Sequence, residues 1–383
     1  MRMPHTMRMP QVQCRVAPPL RRVLLLPHQR FSTSAPFVTN DEHQRPAIKI
    51  SMDAVPPPSL PDPFALVSDQ LRPLDELLSD LVGSEHPVLT RVAQQFFDLS
   101  GKRFRSTLVL LAAMAANGGR PGNAQQQQLA EITEMIHAAS LLHDDVIDMA
   151  DTRRGAKSAH RIYGNKVAVL AGDFLLARAS VLLSRLNDTR VVELQATAIE
   201  EMVQGEVMQL KASPQELLQM DHYVNKTYRK TAALMSLACQ ASAKLGGSEP
   251  KVEAALQAYG RHLGIAYQVV DDLLDFTGPS DTLGTTLGLP ALSHLKQGLA
   301  TAPTLFAADE FPEVGAMVQR RFGEEGDVAA VSRLVAASDG LPRTRELATS
   351  HAAQAAAALG VLPPSAARDA LLRLCFDVLN RKA

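Results

Sequence analysis

Apolar residues recur three and four positions apart through most of the chain beyond residue 62. The segments "FALVSDQLRPLDELLSDLV" (64–82), "TLVLLAAMAAN" (107–117), "QLAEITEMIHAASLLHDDVID" (128–148), "KVAVLAGDFLLARASVLLSRL" (166–186) and "VVELQATAIEEMVQGEVMQL" (191–210) all carry this spacing. It places the apolar side chains on one face of a helix. Alternation of β-branched and aromatic residues never persists, and aromatics are only 4% of the chain, so the pattern predicts an all-α bundle. Breaks are expected at Gly118-Gly119, Gly246-Gly247, Pro279, Pro290 and Pro363-Pro364. The run "AVPPPSLPDP" (54–63) cannot be helix or inner strand. Residues 41–61 are therefore expected to be a proline-rich linker, and 62–383 a single folded domain.

Composition narrows the classes of function. A hydrophobic share of 46% in 383 residues is ample for a large core. Lys+Arg 39 against Asp+Glu 40 leaves a net charge of -1, with no basic excess to suggest a nucleic-acid partner. Cys14, Cys239 and Cys375 form no C-x-x-C pair, which argues against a disulfide framework or a zinc site. Residues 1–40 differ from the rest: they hold Arg2, Arg8, Arg15, Arg21, Arg22 and Arg30 but no Lys, Asp or Glu. That composition reads as a mitochondrial transit peptide. The mature chain is expected to be soluble or peripherally attached to a membrane.

The chemistry concentrates in two acidic motifs. In "SLLHDDVIDMADTRRG" (140–155), Asp144 and Asp148 are i and i+4, so on a helix their carboxylates share one face roughly 5–6 Å apart. Like charges so placed destabilise a helix unless a cation answers them. The D-D-x-x-D arrangement returns in "VVDDLLDFTG", as Asp271, Asp272 and Asp275. Two such motifs at the ends of apolar helices suit Mg2+, a hard cation that completes its shell with water and substrate phosphate oxygens. A phosphate ester is then the expected substrate. Arg153 and Arg154 after the first motif, and "GKRFR" (101–105) at the start of an apolar helix, supply cations for the phosphates.

With these residues in view, the chain from about residue 62 onward resembles the trans-isoprenyl diphosphate synthases, and most closely their mitochondrial long-chain members of the solanesyl or decaprenyl type. The resemblance rests on "GKRFR", "IHAASLLHDDVIDMADTRRG", "GNKVAVLAGDFLLARA", Lys230-Thr231 and "AYQVVDDLLDFTG", with "SDGLPRTRELA" and "SAARDALLRL" towards the end. It implies an isoprenoid-synthase-type helical barrel with a central cavity, working as a homodimer or heteromer. There an allylic diphosphate held by Mg2+ is extended by isopentenyl diphosphate, supplying the ubiquinone side chain. Carried over by position, Asp144, Asp145 and Asp148 hold the metal from one wall, and Asp271, Asp272 and Asp275 from the other. Arg153 and Lys230 match contacts to the allylic diphosphate. Lys102, Arg105, His137 and Arg154 match the isopentenyl diphosphate pocket, and Thr231 and Gln268 line the reacting end. Asp144, Asp148, Asp271 and Lys230 are the expected catalytic group.

Ala139 and Ser140, about one turn before Asp144 and both small, are expected to floor the cavity and let a chain pass toward Ile136 and Met135. A product of about eight to ten isoprene units follows from that reading. The sequence also departs from the family pattern. The run "LGTTLGLPALSHLKQG" is a few residues longer than the family's, with Leu289 where Lys is expected and His294 where Asp is expected, while Ser106 replaces a proline. A weakly active or inactive partner subunit is the alternative these changes keep open, although all the motif aspartates and Lys296 are intact. A di-iron oxidase is a second alternative, since Glu134 and His137 form an E-x-x-H pair, but the chain has no second such pair.

Overall fold

The computed structural model describes residues 50–71, 87, 88, 90–92, 103–153, 155–277 and 292–381. Its longer helices are α1 (Phe104–Ala116), α2 (Ala124–Ile147), α3 (Asn165–Arg185), α4 (Thr189–Lys211), α5 (Met220–Thr227), α6 (Ala233–Leu245), α7 (Pro250–Thr277), α8 (Ala302–Glu310), α9 (Pro312–Gln319), α10 (Asp327–Ala337), α11 (Gly340–Ala358) and α12 (Ala366–Leu379). The all-α expectation holds. Among the described residues the only strands form a two-stranded hairpin, β1 (Thr152–Arg153) with β2 (Ala156–Lys157), which pairs Thr152 with Lys157 and Arg153 with Ala156.

Helix boundaries follow from local chemistry. At the start of α2, the Asn123 side chain accepts from the Gln126 N–H while the Gln126 side chain accepts from the Asn123 N–H, both at 2.9 Å. This reciprocal cap satisfies two donors a helix start leaves open. Gln126 also donates to the Ser242 carbonyl at 2.8 Å, tying α2 to α6. The Gly118-Gly119 break follows α1 with φ of 67° and 89°, a backbone region glycine enters without strain.

α7 is the long central helix, packing chiefly against α6 and α11, while α2 packs against α3 and α1. Close approach is bought by glycine. A Cβ at Gly260 would meet the Met235 carbonyl at 2.6 Å, and one at Gly264 would meet Ala232 at 2.6 Å. Between α5 and α6 lies one π-helical turn, Tyr228–Ala232, and Gly205 of α4 lies against it, since a Cβ there would sit 2.8 Å from the Lys230 nitrogen. The main core runs through α1, α2, α6, α7 and α12, with Leu108, Ile132, Met135, Ile136, Tyr259 and Leu371 fully enclosed. A smaller apolar cluster joins Phe276 and Leu295 to Val314, Val318, Val331 and Val335.

The proline-rich stretch is not a loose linker where it is described. Ile50 and Leu60 are buried in the main core. Asn380 receives the Asp53 N–H at 2.6 Å and donates to the Ala54 carbonyl at 2.8 Å, and Arg373 donates to the Leu60 carbonyl at 3.1 Å. Proline excludes helix there, but it leaves carbonyls free to accept from α12 and its extension. The compact unit accordingly begins at Pro46. Residues 1–40, the expected transit peptide, lie outside the described residues.

α7 and α11 enclose a histidine pair remote from both acidic motifs. His262 and His351 approach Nδ1 to Nδ1 at 3.0 Å with ring centroids 5.2 Å apart. Burial, reinforced by the Arg261 charge, lowers the pKa of His262 to about 4; burial, then His262 and Arg261, lower that of His351 to about 3. Both values lie below the unfolded value of 6.5. The unfolded chain therefore binds the extra protons, and stability present above that value is lost as pH falls below it. The melting temperature is expected to drop between about pH 7 and about pH 5, and His351→Gln to lessen the drop. An equal drop in both proteins would remove the pair as its cause.

Candidate active site

The first acidic motif closes α2. Asp148 is the C-cap and its N–H bonds the Asp144 carbonyl at 2.8 Å, so the two side chains stay one turn apart. Met149 then turns left-handed at φ 51°, and the Ala150 N–H returns to the Asp145 carbonyl at 3.0 Å. That six-to-one bond is a Schellman stop with methionine in place of the usual glycine. The hairpin that follows folds Arg153 back, and its Nε donates to Asp145 at 2.9 Å. Asp145 is buried with its Oδ1 taken by Arg153, whereas Asp144, Asp148 and Arg153 line a cavity of about 340 Å³.

α7 contributes Gln268, Asp271 and Asp272 to the same cavity. Asp272 is buried with both oxygens taken: the Tyr223 hydroxyl donates at 2.6 Å and Gln268 Nε2 at 2.9 Å. Thr231 donates to the Gln268 carbonyl oxygen at 3.0 Å, so the polar relay runs Thr231–Gln268–Asp272–Tyr223. Asp271 pairs with Arg381 at 2.5 Å, and the Arg381 guanidinium stacks 3.8 Å over the Tyr267 ring. Asp275 lies off the cavity. The Ser293 N–H and hydroxyl bond it at 2.9 and 2.7 Å, and the His294 ring stands 3.2 Å away. Burial alone would raise the Asp275 pKa, yet His294 and Ser293 bring it down to about 2.

The remaining cavity wall comes from α1, α4, the π turn and α5. Arg105 donates to His137 Nε2 at 2.8 Å, and both line the cavity. Lys230 pairs with Glu206 at 2.5 Å. Thr231, Lys226, Ser140, Leu141, Met202, Leu234 and Leu299 are also at its surface. Ser140 thus faces the cavity, but Ala139 is enclosed in the core, as are Ile136 and Met135. Lys102, Arg154 and Leu289 lie outside the described residues. Ser106, where the sequence departs from proline, is buried with its hydroxyl 2.9 Å from Glu134 Oε2 and 3.2 Å from the Ala130 carbonyl. The E-x-x-H pair is thereby engaged away from any shared metal, Glu134 with Ser106 and His137 with Arg105.

Electrostatics separate the aspartates by role. Burial, then Glu206 and Asp148, push Asp144 up to about 6 against the opposing pull of Lys230 and Arg153. Asp148 is raised as well, first by burial. Among the described residues neither carboxylate has a hydrogen bond or ion pair. No three His, Cys, Asp or Glu side chains among those residues converge tightly enough to cage a metal. The donor set nevertheless fits a hard divalent cation that takes part of its shell from phosphate oxygens. Sequence reasoning assigned no role to Tyr223, Lys226, Glu206 or Arg381. One signal was present for Lys226: "KTYRKT" repeats Lys-Thr at 226–227 and 230–231.

A helical body enclosing a cavity lined with aspartates, lysines and arginines is the isoprenoid synthase fold. A family model described as polyprenyl synthetase matches residues 86–337, and the chain belongs to that family. A mitochondrial solanesyl-diphosphate synthase of Oryza sativa is 44% identical over 338 residues, covering 84% of this chain and 78% of that protein. Among solved structures, a polyprenyl synthase from Caulobacter crescentus complexed with calcium and isoprenyl diphosphate superposes with a TM-score of 0.76 at 34% identity, over 84% of this chain and 97% of that one. The apo form of an Arabidopsis medium/long-chain prenyl pyrophosphate synthase gives 0.69 at 40%, over 84% and 100%. Enzymes of this family depend on a divalent metal and join isopentenyl and allylic diphosphates.

The π turn that carries Lys230 depends on Gly205. Gly205→Val is expected to displace Lys230 and lower kcat/KM by about tenfold to a hundredfold while circular dichroism stays helical, because small misplacements of a catalytic group are costly. Unchanged kinetics in a folded variant would show that the turn tolerates the shift.

Proposed function

We propose that the protein is a Mg2+-dependent trans-polyprenyl diphosphate synthase that adds isopentenyl diphosphate repeatedly to an allylic diphosphate. The product is an all-trans long-chain polyprenyl diphosphate for the ubiquinone side chain. The observation that carries this reading is the meeting, in one cavity, of Asp144 and Asp148 from α2 with Asp271 and Asp272 from α7, among the cations Arg105, Arg153, Lys226 and Lys230. The protein acts in mitochondria, as the names of relatives from Oryza sativa, Yarrowia lipolytica and Neurospora crassa say of those enzymes. The arginine-rich, acid-free residues 1–40 agree.

Asp144, Asp148 and Asp271 would hold Mg2+, whose contribution is Lewis-acid neutralisation of the departing diphosphate. Arg153 and Lys230 orient the allylic diphosphate from the protein side. Arg105, braced by His137, holds the isopentenyl diphosphate together with Lys102 and Arg154. Asp145 and Asp275 position their neighbours, Arg153 and the Ser293–His294 turn, and Asp272 anchors the relay through Gln268 to Thr231. Leu141, Met202, Leu234 and Leu299 shield an allylic cation from water. The exposed apolar side chains of the adjacent helices α3 and α4, namely Val169, Leu170, Val181, Val203, Val207 and Leu210, form the face for a second subunit. α3 is also long and apolar enough to cross a membrane by length and composition alone.

The direct test incubates purified residues 41–383 with farnesyl diphosphate, isopentenyl diphosphate and Mg2+, and measures product length. A long-chain product is expected; no elongation at any Mg2+ concentration would overturn the reading. Asp144→Ala and Asp271→Ala are each expected to lower turnover at least about a hundredfold with unchanged circular dichroism. A near-normal rate at saturating Mg2+ would remove that aspartate from the metal. Chain length is set along the face of α2 below Asp144, where Ser140 borders the cavity. Ser140→Phe is expected to give a folded, active enzyme whose products from this 15-carbon primer stop at about 20 carbons. Ala139→Phe enters the enclosed core and is expected to destabilise the fold. Full-length product from Ser140→Phe would show that the chain runs elsewhere.

A further inference from the structure

The cations around the cavity are not equivalent. Arg105 is held by His137 at 2.8 Å, Arg153 by Asp145, Lys230 by Glu206 at 2.5 Å, and His294 stands 3.2 Å from Asp275. Lys226 also lines the cavity, yet among the described residues its ammonium has no hydrogen bond or ion pair. Its nearest aromatic neighbour is the Tyr223 ring, with Nζ 5.4 Å from the centroid. The Asp272 carboxylate acts on it electrostatically but is already bonded by Tyr223 and Gln268.

We propose that Lys226 is a further ligand of the allylic diphosphate, holding it on the side of the second aspartate motif. A half-buried ammonium with no hydrogen bond or ion pair among the described residues is held at some cost, and such a group suits a place where an anion arrives to answer it. Its placement supports this. Lys226 sits in the last turn of α5, one helical turn before Lys230 in the π turn, and both reach one cavity that also exposes Asp144, Asp148 and Asp271. The repeated Lys-Thr of "KTYRKT" therefore presents two lysines to one cavity, one for each end of a diphosphate. Burial lowers the Lys226 pKa from the ordinary lysine value, the direction expected of an ammonium that lacks a fixed counter-ion.

The inference rests on the prenyltransferase reading but is tested separately from it. Inorganic pyrophosphate is titrated calorimetrically into the full chain and into Lys226→Gln, with and without Mg2+. The variant is expected to weaken the Mg2+-dependent binding about tenfold or more, as for loss of a charge-assisted hydrogen bond. In steady state, KM for farnesyl diphosphate is expected to rise by a similar factor, with KM for isopentenyl diphosphate within about twofold of wild type. Lys226→Arg is expected to recover most of the loss. Lys226→Met, which keeps a long apolar side chain but no charge, is expected to show the same loss as glutamine. Wild-type pyrophosphate binding in a folded glutamine or methionine variant overturns the assignment, as does an equal rise in both KM values with a fallen melting temperature. If the wild-type enzyme makes no polyprenyl product, the prenyltransferase reading fails, and the pyrophosphate titration still decides whether Lys226 binds the anion.

Discussion

Carboxylates grouped inside a helical body must be answered by positive charge, and most of the functional architecture follows from how this chain answers them. Asp145 is matched by Arg153, Asp271 by Arg381, Asp275 by His294 and the Ser293 turn, and Asp272 by neutral donors. Asp144 and Asp148 alone among the motif aspartates have no such partner among the described residues. The desolvation that raises both is an electrostatic cost that Lys230 and Arg153 offset only in part, leaving the pair suited to a cation from outside. Structure and chemistry thus share one cause: the same charges that hold the hairpin and the 293–296 turn in place leave one pair of oxygens open.

Backbone geometry makes that charge distribution attainable. The π turn rotates Lys230 and Thr231 into the cavity, and glycines at 205, 260 and 264 let it lie against α4 and let the start of α6 lie against α7. A π turn inserts a residue into the helical register, a device often found where a side chain must be redirected for function. The Schellman stop after Asp148 does the corresponding work at α2, ending the helix where both carboxylates still share a face.

Much of this was legible in the sequence because helical period and acidic spacing are local signals. The segments at 107–117, 128–148, 166–186 and 191–210 became helices within a few residues of their expected ends. What stayed hidden depended on contacts between distant positions. Nothing in "DDVID" says that its second aspartate turns inward to Arg153, and nothing near Asp271 announces Arg381, over a hundred residues later. Ala139 and Ser140 are equally small in sequence, yet only the second reaches the cavity, because a helix separates neighbours by about 100°. The proline run is silent on its packing for a related reason: its residues forbid helix but say nothing about whether their carbonyls find donors elsewhere, as those of Ala54 and Leu60 do.

Asn380 and Arg381 join two jobs. Asn380 clasps the backbone at Asp53 and Ala54, and Arg381, next in line, clamps Asp271 and covers Tyr267. The start of the described fold and the α7 side of the cavity are thus fastened by two consecutive residues. A disturbance that loosens this short stretch reaches a backbone clasp and a cavity aspartate together, although the two lie more than two hundred positions apart in the chain.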